Sequence, residues 1–290
     1  MKKGPVFSVV FGSAHAQSKQ MFKPLADNIS GNQNMKFVSE NGFESMAPFM
    51  LSSLKGMGLA NAYPDNDGIL RKMPILFKVQ NKFYPTISLE VFRSINNIPR
   101  SKIRIENNKV ITGNTAIPVD KYCRAIVNID NAYKIREISF YDVYAGRVPG
   151  RFFNDKVVFI AATATGLGDN KLVPLFGYVN GIMIHANLFL NMAYNNFINE
   201  IAGTYYYLLI FFASFFYTYL FYSRHELPLI KRVAGYISSV SLLTKFVLQL
   251  VFLYAALFLI FYYFNILIKP FTIMIQLVIS YIIVSEFKRI

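Results

Sequence analysis

Residues Thr204–Tyr222 read TYYYLLIFFASFFYTYLFY, and none of them is charged. At about 1.5 Å rise per residue, a helix of that length crosses a hydrocarbon core roughly 30 Å thick. Two more apolar segments follow, Phe246–Ile268 and Pro270–Ser285, whereas the residues before Thr204 alternate in the manner of a water-soluble domain. The expected fold is α/β: an extracytoplasmic sheet-and-helix domain over residues 1–200, then three transmembrane α-helices within residues 201–290. Lys245 at the start of the second segment can snorkel to the interface, so that span can begin earlier. The third segment is short and stops at Glu286, which leaves a re-entrant segment as the alternative.

The charges around these segments assign a direction. Arg224, Lys231 and Arg232 follow the first, Lys288 and Arg289 follow the third, and only Lys269 lies between the second and third. Basic residues in short loops mark the cytoplasmic side, so the 224–232 loop and the C-terminal tail are expected inside and the domain before Thr204 outside. Tyr205, Tyr206, Tyr207, Tyr219 and Tyr222 bracket the first segment, and Tyr262 and Tyr263 lie near the end of the second, as interfacial aromatic belts do. The lipid bilayer is thus the first expected partner.

Composition fits a chain that is part domain and part membrane: 54% of residues are hydrophobic and the mean hydropathy is +0.34. The formal charge of +14 would suit nucleic acid, but Lys and Arg are scattered without a dense run or a basic helix, so no nucleic-acid partner is expected. Cys123 is the single cysteine, which excludes an intramolecular disulfide and a thiolate metal cluster and reads as a small core thiol. Met1-Lys2-Lys3 has the basic start of a signal peptide. The apolar run Val6–Phe11 after Pro5 is at the short edge for one, however, and reads better as a buried strand.

Within the domain, Val6–Phe11 and Val157–Ala162 read as interior strands, and Ile69–Val79 and Ala125–Ile129 as further extended pieces. Pro85–Asn96 and Gly181–Tyr194 have helical spacing, and Lys102–Val119 reads as a β-hairpin turning at Asn107-Asn108. Asp65-Asn66-Asp67-Gly68 has the look of a calcium loop. Aligning Gly68 with the invariant glycine of an EF-hand, however, puts Tyr63 and Pro74 at ligand positions, so Asp65, Asp67, Gly68 and Arg71 read as a structural turn. Gly166-Leu167-Gly168 lacks the third small residue of a dinucleotide fingerprint, since Lys171 stands there. His185 has Asp169 nearby in sequence but no second histidine or cysteine at ligand spacing, and His15 and His225 stand alone. A structural histidine at a helix start is the expectation for His185, and no enzyme activity, cofactor or metal is expected.

Taken in order, these fragments form a series. Gly58-Leu59-Ala60-Asn61-Ala62-Tyr63-Pro64-Asp65-Asn66-Asp67-Gly68-Ile69-Leu70-Arg71-Lys72-Met73-Pro74 is followed by Tyr84-Pro85-Thr86-Ile87-Ser88-Leu89-Glu90 and Ile117-Pro118-Val119-Asp120. Then come Lys156-Val157-Val158-Phe159-Ile160-Ala161-Ala162-Thr163-Ala164, Gly166-Leu167-Gly168-Asp169 and Gly181-Ile182-Met183-Ile184-His185-Ala186-Asn187. The series closely resembles the type-two CHASE domain over nearly all of residues 5–200. That family is an extracytoplasmic sensor module of bacterial signalling proteins. It is commonly followed by a three-span membrane unit and then by a cytoplasmic nucleotide cyclase, diguanylate cyclase or protein kinase. Ala161 and Val173 depart from the glycine and threonine usual in the family.

The family also begins with a membrane anchor and a longer lead, so the domain over residues 1–200 reads as N-terminally incomplete, the middle of a receptor. The resemblance implies a sensory input module in the bacterial cytoplasmic membrane, with the sensor outside and the C-terminus inside. An unknown small-molecule ligand, a homodimer and a cytoplasmic cyclase or kinase effector are its implied partners. The competing reading is a structural or vestigial membrane protein left from a split receptor. Thr163, Asp169 and His185 are the ligand-binding candidates, because the strand expected at Val157–Ala162 leads into a glycine-containing loop facing the helix that starts at Gly181. A structural tie of loop to helix through Asp169 and His185 is the alternative.

Overall fold

The computed structural model describes residues 5–13, 24–25, 29, 35–44, 53–129, 135–164, 166, 169–200, 208, 212, 251, 254–255, 257–267 and 278. The chain divides into two compact units, Met1–Phe197 and Ile198–Ile290.

The first unit holds strands β1 (Phe7–Val10), β2 (Gly12–Ser13), β3 (Val38–Glu40), β4 (Gly42–Phe43), β5 (Gly56–Leu59), β6 (Lys72–Pro74), β7 (Leu76–Val79) and β8 (Lys82–Pro85). Helix α1 (Ile87–Ile95) comes next, then β9 (Arg104–Glu106), β10 (Lys109–Thr112), β11 (Thr115–Pro118) and β12 (Arg124–Ile126). Helix α2 (Phe140–Tyr144), β13 (Asn170–Val173), β14 (Gly177–Asn180) and helix α3 (Gly181–Tyr194) complete it. The parallel pairs are β1 with β5 and β3 with β7, while β8 runs antiparallel on β7 and β12 antiparallel on β6. Short parallel pairs joined to helices are the α/β signature expected of this domain.

Local chemistry explains several elements. Asn107 and Asn108 have φ of 48° and 58°, the two positive values a type I′ turn needs, and they close β9 onto β10. A second turn at Gly113, φ +58°, then folds β11 back on β10, so the expected hairpin is a three-stranded meander. Helix α3 ends where Asn195 takes a left-handed φ of 50°.

The core forms where α1 and α3 pack with β5, β6 and β7. Its largest cluster includes Met73, Ile75, Leu76, Leu89, Ile105, Ile117, Ile184 and Leu188. A smaller cluster of Val10, Phe43, Leu59, Phe77, Val79 and Tyr84 fills the space around β1 and β8. Gly58 makes the joint between sheet and helix possible. A Cβ placed there would lie 2.5 Å from Ile87 Cα and 2.6 Å from Ile87 N, so no side chain fits. That close approach lets Leu59 bridge to Thr86, whose hydroxyl donates to the Leu59 carbonyl at 3.2 Å instead of capping its own helix.

Two expected interior strands turn out otherwise. Val157–Ala162 is not a strand: Val158 and Ile160 are 50% and 77% exposed, and only Phe159 turns inward, its ring meeting Phe189 of α3 edge-on. Among the described residues β1 pairs with β5 alone, and Val6, Val9 and Phe11 are exposed, so it is an edge strand there with only Val10 buried. The extended pieces at Ile69–Val79 and Ala125–Ile129 are also shorter than expected: Ile75 separates β6 from β7, and β12 ends at Ile126.

In the second unit, residues 257–264 are helical, Asn265 ends the helix with φ 52°, and β15 (Asn199–Glu200) pairs in parallel with β16 (Ile266–Leu267). Among the described residues no helix is long and apolar enough to cross a membrane. Most of Thr204–Tyr222 and Pro270–Ser285 and most of the first half of Phe246–Ile268 lie outside them. So do Met1–Gly4, His15, Tyr205–Tyr207, Tyr219, Tyr222, the 224–232 loop with His225, and Lys288–Arg289.

Candidate functional site

The carboxyl end of β5 meets the two long helices at His185. Its Nε2 lies 3.2 Å from the Ala60 carbonyl; because a carbonyl can only accept, the ring proton is on Nε2. Ser88 of α1 donates its hydroxyl to the His185 carbonyl at 2.8 Å, and the same oxygen stands 3.4 Å from Nδ1. One imidazole thereby ties α3 to α1 and to the end of β5. Burial pushes its pKa below the ordinary value, and the Ala60 carbonyl and the Asp169 charge oppose that shift without reversing it.

Asp169 stands at the other face of the α3 start. Its backbone carbonyl accepts the Gly181 N–H at 2.8 Å, and its carboxylate lies so close over Gly181 that a Cβ there would meet Oδ2 at 2.4 Å. Lys171 approaches the carboxylate at 3.5 Å. Thr163 is exposed and makes no hydrogen bond to Asp169 or His185 among the described residues, which do not include Thr165, Leu167 and Gly168. The structure therefore brings Asp169 within electrostatic reach of His185.

The acidic turn between β5 and β6 is closed by a guanidinium. Gly68 takes φ +78° and donates its N–H to the Asp65 carbonyl at 2.9 Å, while Asp67 Oδ1 accepts the Ile69 N–H at 3.1 Å. Arg71 bonds Asp67 through both terminal nitrogens, at 2.9 and 2.7 Å, and reaches Asp65 at 3.1 Å. Those hydrogen bonds hold the Asp67 carboxyl down to about 2. The network continues through Arg124, 3.8 Å from Asp65 and bidentate on Asp120, which Lys72 approaches at 3.6 Å. Arg71 thus engages both oxygens of Asp67 and Oδ2 of Asp65, while Asp65 Oδ1 faces Arg124.

Two polar groups lie outside the sequence reading. Glu90 is fully buried on α1, its carboxylate held by Arg93 and by Arg100 Nη2 at 2.8 Å. The signal was local, since Arg93 follows Glu90 by one helical turn on a strongly apolar helix. Tyr63 donates its phenol to Glu40, and Asn61 grips the backbone of Gly12 through both its N–H and its carbonyl, at 2.7 and 3.0 Å. These residues are 49 and 23 positions apart, and no sequence spacing announces them.

The fold is a mixed α/β domain of small sheets and few helices. The chain belongs to the CHASE2 family, since the family model for the CHASE2 domain matches residues 6–219, covering the first unit and running into the apolar stretch that begins at Thr204. CHASE2 domains are extracytoplasmic sensory modules of membrane signalling receptors, and the match supports a sensory role for this domain. No curated protein matches the chain, and no solved structure matches it.

Proposed function

We propose that the chain is the membrane-bound input module of a bacterial receptor, with residues 1–200 outside the cytoplasmic membrane and the C-terminus inside. Thr204–Tyr222, Phe246–Ile268 and Pro270–Ser285 are its three spans, and its signal passes to a cytoplasmic effector of the cyclase or kinase class. The observation that carries this reading is the family match, which extends from the folded unit into an apolar segment free of charge. The basic residues at 224–232 and 288–289 supply its direction. Transmission follows from differential affinity: a small-molecule ligand that binds one packing of the input module, as a homodimer, better than another shifts the population seen by the effector. Thr163 and Asp169, the latter at the start of α3, are the proposed sensing residues, with His185 holding α3 in place behind them. Fusion of the chain to a cyclase effector tests this. Thr163→Ala and Asp169→Ala should change output at unchanged melting temperature, and output equal to the parent would remove both residues from sensing.

A further inference from the structure

Residues 136–160 carry exposed aromatic surface that the sensory reading leaves unused. On α2, Phe140, Tyr141 and Tyr144 stand 69%, 62% and 83% exposed. At 100° per residue the three fall within one 100° arc of the helix. Asp142 points elsewhere and is neutralised by Arg147, whose Nη1 donates to it at 2.9 Å while the guanidinium carbon lies 5.0 Å from the Tyr141 ring centre. The stretch closes on itself, because Arg136 and Lys156 flank the Phe152 ring at 5.2 and 5.0 Å. Next to that closure Val157, Val158 and Ile160 are exposed as well.

We propose that this aromatic face is a membrane-docking surface that rests on the headgroup layer of the bilayer. Exposed Phe and Tyr rings interleaved with Arg and Lys are the side chains that favour the headgroup boundary, with the rings at the apolar edge and the cations among phosphates. The cations here already lie against ring faces, so docking desolvates neither alone; Asp142 is paired with Arg147, and the stretch's other acids, Glu137 and Asp155, are outnumbered by Arg136, Arg151 and Lys156. Attachment through the proposed spans, on which the inference rests, makes docking effectively intramolecular, so a weak surface suffices.

The chain has no tryptophan, so a single introduced one reports its own surroundings. The full chain carrying Tyr144→Trp, reconstituted in phosphatidylcholine and phosphatidylglycerol vesicles, should show blue-shifted emission. It should lose about half its intensity when the acyl chains are brominated, at the roughly 5–10 Å depth of interfacial rings. Serine at both Phe140 and Tyr141 in that background should abolish most of the quenching. Emission typical of water and indifferent to bromine overturns the proposal, and a blue shift without quenching overturns it in favour of a second copy covering the face. Phe258→Trp, in the second apolar segment, reads the span assignment separately. Its failure to be quenched would count against the spans, while the Tyr144→Trp result alone decides the docking face.

Discussion

Gly68 and His185 show how one residue can hold a local geometry. A Cβ at Gly68 would meet no atom within 4 Å, so its replacement is penalised by backbone alone. With φ at +78°, Gly68→Val should cost about 1–2 kcal/mol and lower the melting temperature of the reconstituted chain by a few degrees. An unchanged midpoint would mean that the turn adapts without strain. His185 carries a pH dependence whose sign follows from its depressed pKa. The unfolded chain binds a proton near 6.5 that the folded chain refuses, so stability from this group is full above 6.5 and declines as pH falls below it. His185→Gln should flatten the decline in midpoint as pH falls below 6.5. Asp67 acts lower on the scale: its contribution is complete above 3.8 and disappears as pH falls toward 2, so Asp67→Asn should alter stability only in acid. Asp120 adds a contribution of the same sign, lost in acid below 3.8. Burial would raise its carboxyl, but the bonds from Arg124 and two backbone N–H groups outweigh burial and lower it.

The elements are joined by close backbone approach and by buried charge. Gly58→Ala should destabilise the chain by about 3 kcal/mol or more, because the new methyl meets the backbone of Ile87 and Thr86 rather than a side chain that can move. It should therefore exceed Gly68→Val in a thermal melt although it adds the smaller group. Helix α1 adds a second constraint at Glu90, whose carboxylate joins the helix to Arg100 in the following turn and sits against Gly56. Glu90→Gln leaves Arg93 and Arg100 with a neutral partner, each little exposed, and should cost about 3 kcal/mol. The triple variant Glu90→Leu with Arg93→Met and Arg100→Met should recover part of that loss, measured by urea midpoint, because it removes both stranded charges as well.

For the whole molecule, the charge asymmetry of the loops makes a topological prediction. A reporter active only in the cytoplasm should work within 224–232 and after Arg289 and be silent near Ile266. Equal activity at Ile266 and after Arg289 would overturn the three-span arrangement. Because that outcome depends only on the apolar segments, it is independent of whether Thr163 and Asp169 sense a ligand.

The sequence by itself determined whatever depends on neighbours along the chain. The bounds of α3 follow from a period of 3.6, the turn at Asn107-Asn108 from the tolerance of asparagine for positive φ, and the Asp65–Arg71 turn from an Asx bond and a glycine. Family membership was legible for the same reason, as an ordered series of short motifs. Tertiary structure alone decided what faces what. Val157–Ala162 has the composition of an interior strand, but an apolar run records only the favourable free energy of leaving water and does not name a partner, and β1 lies at an edge for the same reason. Asp169 and His185 look adjacent in a motif, yet His185 spends its hydrogen bonds on Ala60 and Ser88, residues 125 and 97 positions away. Those bonds exist because β5 and α1 were brought together at Gly58, and that long-range closure is set by packing of the whole core rather than by any local preference.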